Sequence, residues 1–348
     1  MEVKSIVLNE KRNVTLTACL QGVGGDYEYV TKRPGVIILP GGGYQYCTDR
    51  EAEPVAMPYL KAGYQAFILR YSVGKDAVWP NPLDDYDQAM EYLQAHAEEW
   101  NLYADKIAVI GFSAGGHLAA CAATMAKHRP AAAILGYSIL NEDAQVCVPH
   151  APDAVKAVDY QTCPCFLFAS RNDQMVPIAN SIQFMNALAE NGISFESHIY
   201  AYGPHGFSTG DSSIQNPDTT VACSRMKDWV EDSIEWLKDM FGDFCTKGMT
   251  KPACPSHFIL NGEATLSVEC TIEYLMQNPQ SKAILEQIVK QFSANMPDLR
   301  MMPAAGLPKD QLPSLILHTR LCDALAFLQT PEEMIQQLDA TLKQIPNT

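Results

Sequence analysis

A mostly parallel α/β sheet flanked by helices, followed by a small helical domain, is the architecture this 348-residue sequence predicts. Three observations predict it. Short apolar runs alternate with helical stretches up to about Phe241, the pattern a sheet of βαβ units requires. A stretch holding Gly248, Pro252 and Pro255 then breaks that alternation. Beyond it, apolar residues recur at helical spacing only. The expected division is 1–244 and 245–348.

The elements follow in order. Residues 2–7 and 14–20 read as an antiparallel pair at one edge of the sheet. Apolar, β-branched runs at 35–39, 64–71, 107–110, 132–135, 165–169 and 197–200 read as the remaining strands. Between them, helices are expected at 51–62, 84–100, 114–127, 178–191 and 221–240. In the tail, Ile284, Leu285, Ile288, Val289 and Phe292 share one face of a helix over 281–292. Thr330-Pro331-Glu332-Glu333 reads as a helix start, with a capping hydroxyl, Pro in the first turn and Glu behind it. It leads into the stripe Met334, Ile335, Leu338, Leu342 and Ile345.

Composition narrows the function classes. The chain has 25 Lys and Arg against 40 Asp and Glu, a net charge of −15. That balance argues against nucleic acid or an anionic membrane as partner, because both are held by clustered cations. No apolar run reaches the roughly 18–20 residues that cross a bilayer. The start, MEVKSIVLNEKRN, lacks the uninterrupted apolar stretch of a secretory signal, so a cytoplasmic location is expected. The eleven cysteines are odd in number and scattered. The nearest pair, Cys163 and Cys165, has no second pair at zinc-ribbon spacing, and the cysteines read as reduced core residues.

The chemistry-bearing segment is KIAVIGFSAGGHLAAC. A β-branched strand runs into Gly111-Phe112-Ser113-Ala114-Gly115, and an Ala-rich helix follows. A sharp strand-to-helix turn pushes the serine hydroxyl clear of the backbone, and larger side chains at the glycines would collide with neighbouring elements. The competing reading is a Gly-rich turn with a buried serine.

A nucleophilic serine needs a base, and the base needs an orienting acid. Of the eight histidines, His205 follows the strand at 197–200 in the glycine-flanked loop Tyr202-Gly203-Pro204-His205-Gly206-Phe207. His117, on the helix behind Ser113, reads as packing. Asp173, in the loop after 165–169, is placed to accept the imidazole proton, with uncharged Asn172 as the neighbouring contender.

The run Pro40-Gly41-Gly42-Gly43-Tyr44 follows the strand at 35–39. Three glycines let backbone N–H groups approach a substrate oxyanion, and the amides of Gly42, Gly43 and Ala114 are the expected donors. A phosphate-cradling loop is the alternative, but the downstream Gly-Lys-Ser/Thr it needs is missing. Tyr44, Tyr46 and Trp79 are candidates for substrate binding, with core packing as the competing use of each.

With these parts in order, the sequence resembles an α/β-hydrolase esterase. More narrowly, it is similar to the acetyl xylan esterase and feruloyl esterase-like carbohydrate-ester hydrolases. The resemblance rests on PGGGY (40–44), DREAEPVAMPYLKAGYQAFILRYSV (49–73), GFSAGGHLA (111–119), NDQMVP (172–177) and YGPHGFS (202–208). Pro40 departs from the lipase-type loop, which carries histidine there. The tail from 245 onward lies outside the resemblance.

The resemblance implies an α/β-hydrolase fold and a serine carboxylesterase that removes acyl groups, acetyl above feruloyl, from esterified carbohydrates such as xylo-oligosaccharides. Ser113, His205 and Asp173 would be its triad, with no metal or organic cofactor. The alternative is another α/β-hydrolase with the same triad: a general carboxylesterase, an arylformamidase or a peptidase. A non-catalytic binding module is the remaining reading. A small-molecule or oligosaccharide ester is the expected partner, with no nucleic acid or membrane, and self-association through the tail is a further option.

Overall fold

The computed structural model describes residues 1–215, 222–295 and 314–347. It divides into two compact units, Met1–Ser256 and His257–Thr348.

The first unit is built on an eight-stranded sheet. In chain order the elements are β1 (Glu2–Asn9), β2 (Val14–Leu20), β3 (Arg33–Leu39), α1 (Glu53–Lys61), β4 (Gln65–Arg70), α2 (Asn81–Ala95), β5 (Leu102–Phe112), α3 (Ser113–Met125), β6 (Ala132–Gly136), β7 (Cys165–Ser170), α4 (Ala179–Glu190), β8 (Phe195–Tyr200) and α5 (Trp229–Phe241). The spatial order is β1-β2-β4-β3-β5-β6-β7-β8. β1 and β2 pair antiparallel, β2 meets β4 antiparallel, and every later pairing is parallel.

Both faces of the sheet are covered, which is why its central strands are apolar throughout rather than alternating. Successive residues of one strand point to opposite faces. Ile37, Leu39, Val109, Leu135 and Leu167 pack under α2, α3 and α4. Val36, Ile38, Ala108, Ile110, Phe166 and Phe168 pack under α1 and α5 on the other side. Neighbouring strands β3 and β5 lead away in opposite directions, β3 to β4 and β5 to β6. Such a switch point opens a crevice at the carboxyl ends of the strands.

Some boundaries move from those expected, with reasons. Residues 245–256 belong to the first unit rather than the tail. A two-residue hairpin, β9 (Phe244–Cys245) with β10 (Gly248–Met249), turns the chain back. Met249 and Cys254 pack on the α5 side of the core, and the Ser194 amide donates to Ser256 O at 2.9 Å. Of the residues that read as a linker, Gly248 begins β10, and Pro252 and Pro255 follow the hairpin in a segment that stays with the first unit. The helix expected at 51–62 begins at Glu53, after a short 3₁₀ turn over Asp49–Glu51. Of the helix expected over 221–240, residue 221 lies outside the described residues, Ser224–Asp228 is a 3₁₀ turn, and α5 starts at Trp229.

The second unit contains α6 (Ile272–Gln277), α7 (Pro279–Asn295), α8 (Ser314–Leu317), α9 (Leu321–Phe327) and α10 (Glu332–Leu342) around its own core, including Leu275, Leu285, Leu325 and Leu342. The side chains of Val289 and Phe292 lie outside the described residues. The capping hydroxyl expected of Thr330 is buried without a hydrogen-bond partner, and extended Pro331 occupies the cap position.

Candidate active site

Ser113 directly follows β5 and begins α3 with φ of +51°, a conformation that residues other than Gly, Asn and Asp rarely adopt. The neighbouring glycines permit it. A Cβ on Gly115 would lie 2.2 Å from Leu39 O, and one on Gly111 would lie 2.2 Å from Gly115 O. Glycine at 115 therefore lets the start of α3 press against the end of β3, and glycine at 111 lets α3 lie close against β5.

His205 Nε2 lies 2.9 Å from Ser113 Oγ, and His205 Nδ1 lies 2.7 Å from Asp173 Oδ2. An ionised carboxylate only accepts, so Nδ1 donates to Asp173 and Nε2 is left to accept from the serine hydroxyl. The second carboxylate oxygen, Oδ1, accepts from the amides of Met175 and Val176, each at 2.9 Å. Burial pushes the Asp173 pKa up, but the bonds from His205, Val176 and Met175 outweigh it and hold the carboxyl below its ordinary range. The neighbouring contender, Asn172, serves the backbone instead. Its Oδ1 accepts from the Gly203 amide at 2.9 Å, tying the acid loop to the histidine loop.

The glycine loop runs directly beside the serine, since a Cβ on Gly41 would lie 3.1 Å from Ser113 Cβ. Gly42 and Gly43 have φ of +136° and +60°. The carbonyl of Gly41 accepts from Thr48 N and that of Gly42 from Gln45 N, both at 2.9 Å. In a trans peptide the N–H points opposite to the C=O, so these bonds turn the amides of Gly42 and Gly43 the other way. Neither amide has an acceptor among the described residues. Ala114, in the first turn of α3, has no acceptor within its own helix. Three donors at a helix N-terminus and a glycine turn suit a developing negative charge.

Tyr44 is not available to a substrate. It is fully buried, and its hydroxyl donates to His117 Nδ1 at 2.7 Å. His117 in turn donates through Nε2 to Pro152 O at 2.9 Å. Burial lowers its pKa to about 4, which keeps the ring neutral and lets Nδ1 accept. Trp79 is half-buried, with its ring edge-on to His117 at 5.7 Å. Tyr46, by contrast, is exposed.

Further residues surround the site without any motif announcing them. Glu51 is buried, its Oε2 accepting from Gly41 N at 2.7 Å and its Oε1 from Tyr137 OH at 2.6 Å. Tyr137 packs edge-on against the His205 ring at 5.1 Å, and its oxygen accepts from Ser208 N at 3.1 Å. The sequence places residue 51 at the start of an expected helix, and an acid close behind the glycine loop is the available signal.

A cleft of about 570 Å³ opens beside His205, lined by Asn172, Gln174, Met175, Tyr202 and Pro204. Tyr46, Val78, Val146, Met175 and Tyr202, on loops that follow β3, β4, β6, β7 and β8, are between 45% and 89% exposed. Among the described residues, no group of three His, Cys, Asp or Glu is arranged to hold a metal ion, and no helix is long and apolar enough to cross a membrane.

The BD-FAE family model matches residues 27–148, and the prolyl oligopeptidase family model matches residues 142–242. Endo-1,4-beta-xylanase B of Butyrivibrio fibrisolvens is 28% identical over 53% of this chain and 34% of its own length. An acetylxylan esterase of Xylanibacter ruminicola is 27% identical over 50% of this chain and 41% of its own length. The chain thus spans well under half of either relative. Among solved structures, MGS-M1, an alpha/beta hydrolase enzyme from a Medee basin deep-sea metagenome library, is 40% identical with a TM-score of 0.65, over 69% of this chain and 98% of its own. An acetyl ester-xyloside bifunctional hydrolase from Caldicellulosiruptor lactoaceticus is 27% identical with a TM-score of 0.59, over 68% of this chain and 96% of its own.

Proposed function

This chain belongs to the α/β-hydrolase family, and we propose that it acts as a serine carboxylesterase that removes acyl groups, acetyl above feruloyl, from esterified carbohydrates such as xylo-oligosaccharides. The observation that carries the reading is the continuous chain from Asp173 through His205 to Ser113 Oγ, at 2.7 and 2.9 Å, beside the Gly42 and Gly43 amides, which have no acceptor among the described residues.

In this reading neutral His205 takes the Ser113 proton as Oγ attacks the ester carbonyl. Gly42, Gly43 and Ala114 stabilise the oxyanion, each donor being worth on the order of 10²–10³ in rate. The imidazolium, held by Asp173, then protonates the leaving alcohol. Water repeats the sequence on the acyl-enzyme and releases the acid.

The carbohydrate preference draws support from the relatives named for acetylxylan and acetyl ester-xyloside chemistry. A second reading, hydrolysis of a general ester, an arylformamide or a peptide by the same residues, draws support from the prolyl oligopeptidase match over residues 142–242, which include the acid and the base.

Acetate release from acetylated xylo-oligosaccharides, measured against p-nitrophenyl acetate and N-formylkynurenine, separates the two. Faster turnover of the oligosaccharide is expected. Turnover no faster than that of the aryl acetate would remove the carbohydrate assignment and leave the serine mechanism standing. A fluorophosphonate that labels the protein but not Ser113→Ala tests the mechanism itself.

A further inference from the structure

Glu51 is a carboxylate 2% exposed in a site whose proposed chemistry gives it no proton to move. Its contacts explain why it is there. The peptide group joining Pro40 to Gly41 is held at both poles: Tyr71 OH donates to Pro40 O at 2.6 Å, and Gly41 N donates to Glu51 Oε2 at 2.7 Å. With that group fixed, the next peptide is oriented by the Thr48 N bond to Gly41 O, which turns the Gly42 N–H towards its acceptor-free side. A histidine at position 40 would offer the loop a hydrogen-bonding side chain; the proline ring carries no donor or acceptor, and the bond to the loop comes from Glu51.

The other carboxylate oxygen reaches the opposite wall of the site. Glu51 Oε1 accepts from Tyr137 OH at 2.6 Å, and the Tyr137 oxygen accepts from Ser208 N at 3.1 Å. Ser208 Oγ donates back to Arg50 O at 2.5 Å, and Trp229 Nε1 donates to Ser208 O at 2.9 Å. Ser208 closes the loop that carries His205, and the Tyr137 ring backs the imidazole. One carboxylate therefore joins the glycine loop to the histidine loop around Ser113.

We propose that Glu51 is a positioning residue whose carboxylate, bonded at once to Gly41 N and Tyr137 OH, fixes the oxyanion-binding loop relative to His205. Only an unprotonated acid accepts in both directions with matched strength, and bonds to a charged acceptor are the stronger kind. Burial raises the Glu51 pKa against the pull of Tyr137, Gly41, Arg50 and His205, so the charge is held there at a cost to the fold. In Glu51→Gln, one of the two partners meets an amide NH₂ in place of an acceptor oxygen.

The inference rests on the serine-hydrolase reading of the site, and its test uses the full chain with p-nitrophenyl acetate and a trifluoromethyl ketone that forms a tetrahedral oxyanion on serine. For Glu51→Gln, kcat is expected to fall about 10-fold to 100-fold, with KM within about threefold. Affinity for the ketone is expected to fall in parallel with kcat, because both depend on the oxyanion donors. Tyr137→Phe, which severs the bridge but keeps Glu51, is expected to lower kcat about threefold to tenfold. Two results would overturn the role: both variants keeping wild-type kcat and ketone affinity, or losing activity only in proportion to lost folded protein, measured by thermal melting. A wild-type protein inert to both reagents overturns the esterase reading itself, a separate and recognisable outcome.

Discussion

The floor of the site and its rim are built on opposite principles. On the floor, Ser113, Gly41, Glu51, Tyr137 and Ser208 are packed together; Glu51, Tyr137 and Ser208 are buried and hydrogen-bonded in sequence. Beside it, Met175 and Tyr202 line the cleft next to His205, Tyr46 lies against Gly42, and all three are exposed, on loops from three different strands. Low-dielectric, fixed surroundings are what an oxyanion and an imidazolium need. An exposed apolar edge with several independent loops suits contact with the groups that distinguish one ester from another. Under the proposed mechanism, the difference would assign reaction and substrate choice to separate layers.

The largest expected effect lies on the floor. Ser113→Ala should lower kcat for p-nitrophenyl acetate by a factor on the order of 10⁴–10⁶, measured with active-site titration to exclude trace wild type. Asp173→Asn should follow, with a loss on the order of 10²–10⁴ as the imidazole loses its enforced tautomer. The same substitution has a signature in stability. The folded pKa of Asp173 is depressed, so its ionisation contributes stability above the ordinary carboxylate range and loses it as pH falls through the folded value. Urea midpoints taken from neutral pH into acid should therefore decline less steeply for the Asp173→Asn variant than for the parent.

The rim should respond differently. Tyr46→Ala or Met175→Ala is expected to leave kcat for a small acetate unchanged while raising KM for a bulky aromatic ester about fivefold, equivalent to about 1 kcal/mol. A rim substitution that abolished acetate turnover would break the separation of layers. The smallest expected effect is one on stability, and it concerns the charge of Glu51. Its folded pKa is raised, so the charged form penalises the native state at neutral pH, and the penalty fades as pH falls through the folded value. Arg50, His205 and Tyr137 face the carboxylate and offset part of it. Glu51→Gln should accordingly be more stable relative to the parent at pH 7 than at pH 4, by chemical denaturation.

The parts of the floor were not equally legible in the amino-acid sequence. Ser113, His205 and Asp173 each follow a recognisable strand in glycine-rich or polar turns, and the structure brings those three side chains together. Local pattern sufficed because each sits at the carboxyl end of a parallel strand. Glu51 and Tyr137 are far apart in the chain, and nothing in the periodicity around either signals that they meet. Tyr44 misled for a related reason: an aromatic next to a glycine loop looks accessible until α3 supplies His117 beneath it. The placement of 245–256 with the first unit depends likewise on pairing with Ser194, which composition does not encode.

The left-handed backbone of Ser113 carries one more consequence. A serine there holds a conformation that costs about 1–2 kcal/mol relative to its preferred one, whereas glycine would hold it almost freely. The turn keeps its shape because β5, α3 and the end of β3 leave it no alternative, not because the residue favours it. For this fold, then, the most comfortable occupant of position 113 is one that cannot react. On the proposed mechanism, a glycine at 113 would relax the turn and at the same stroke remove the nucleophilic hydroxyl.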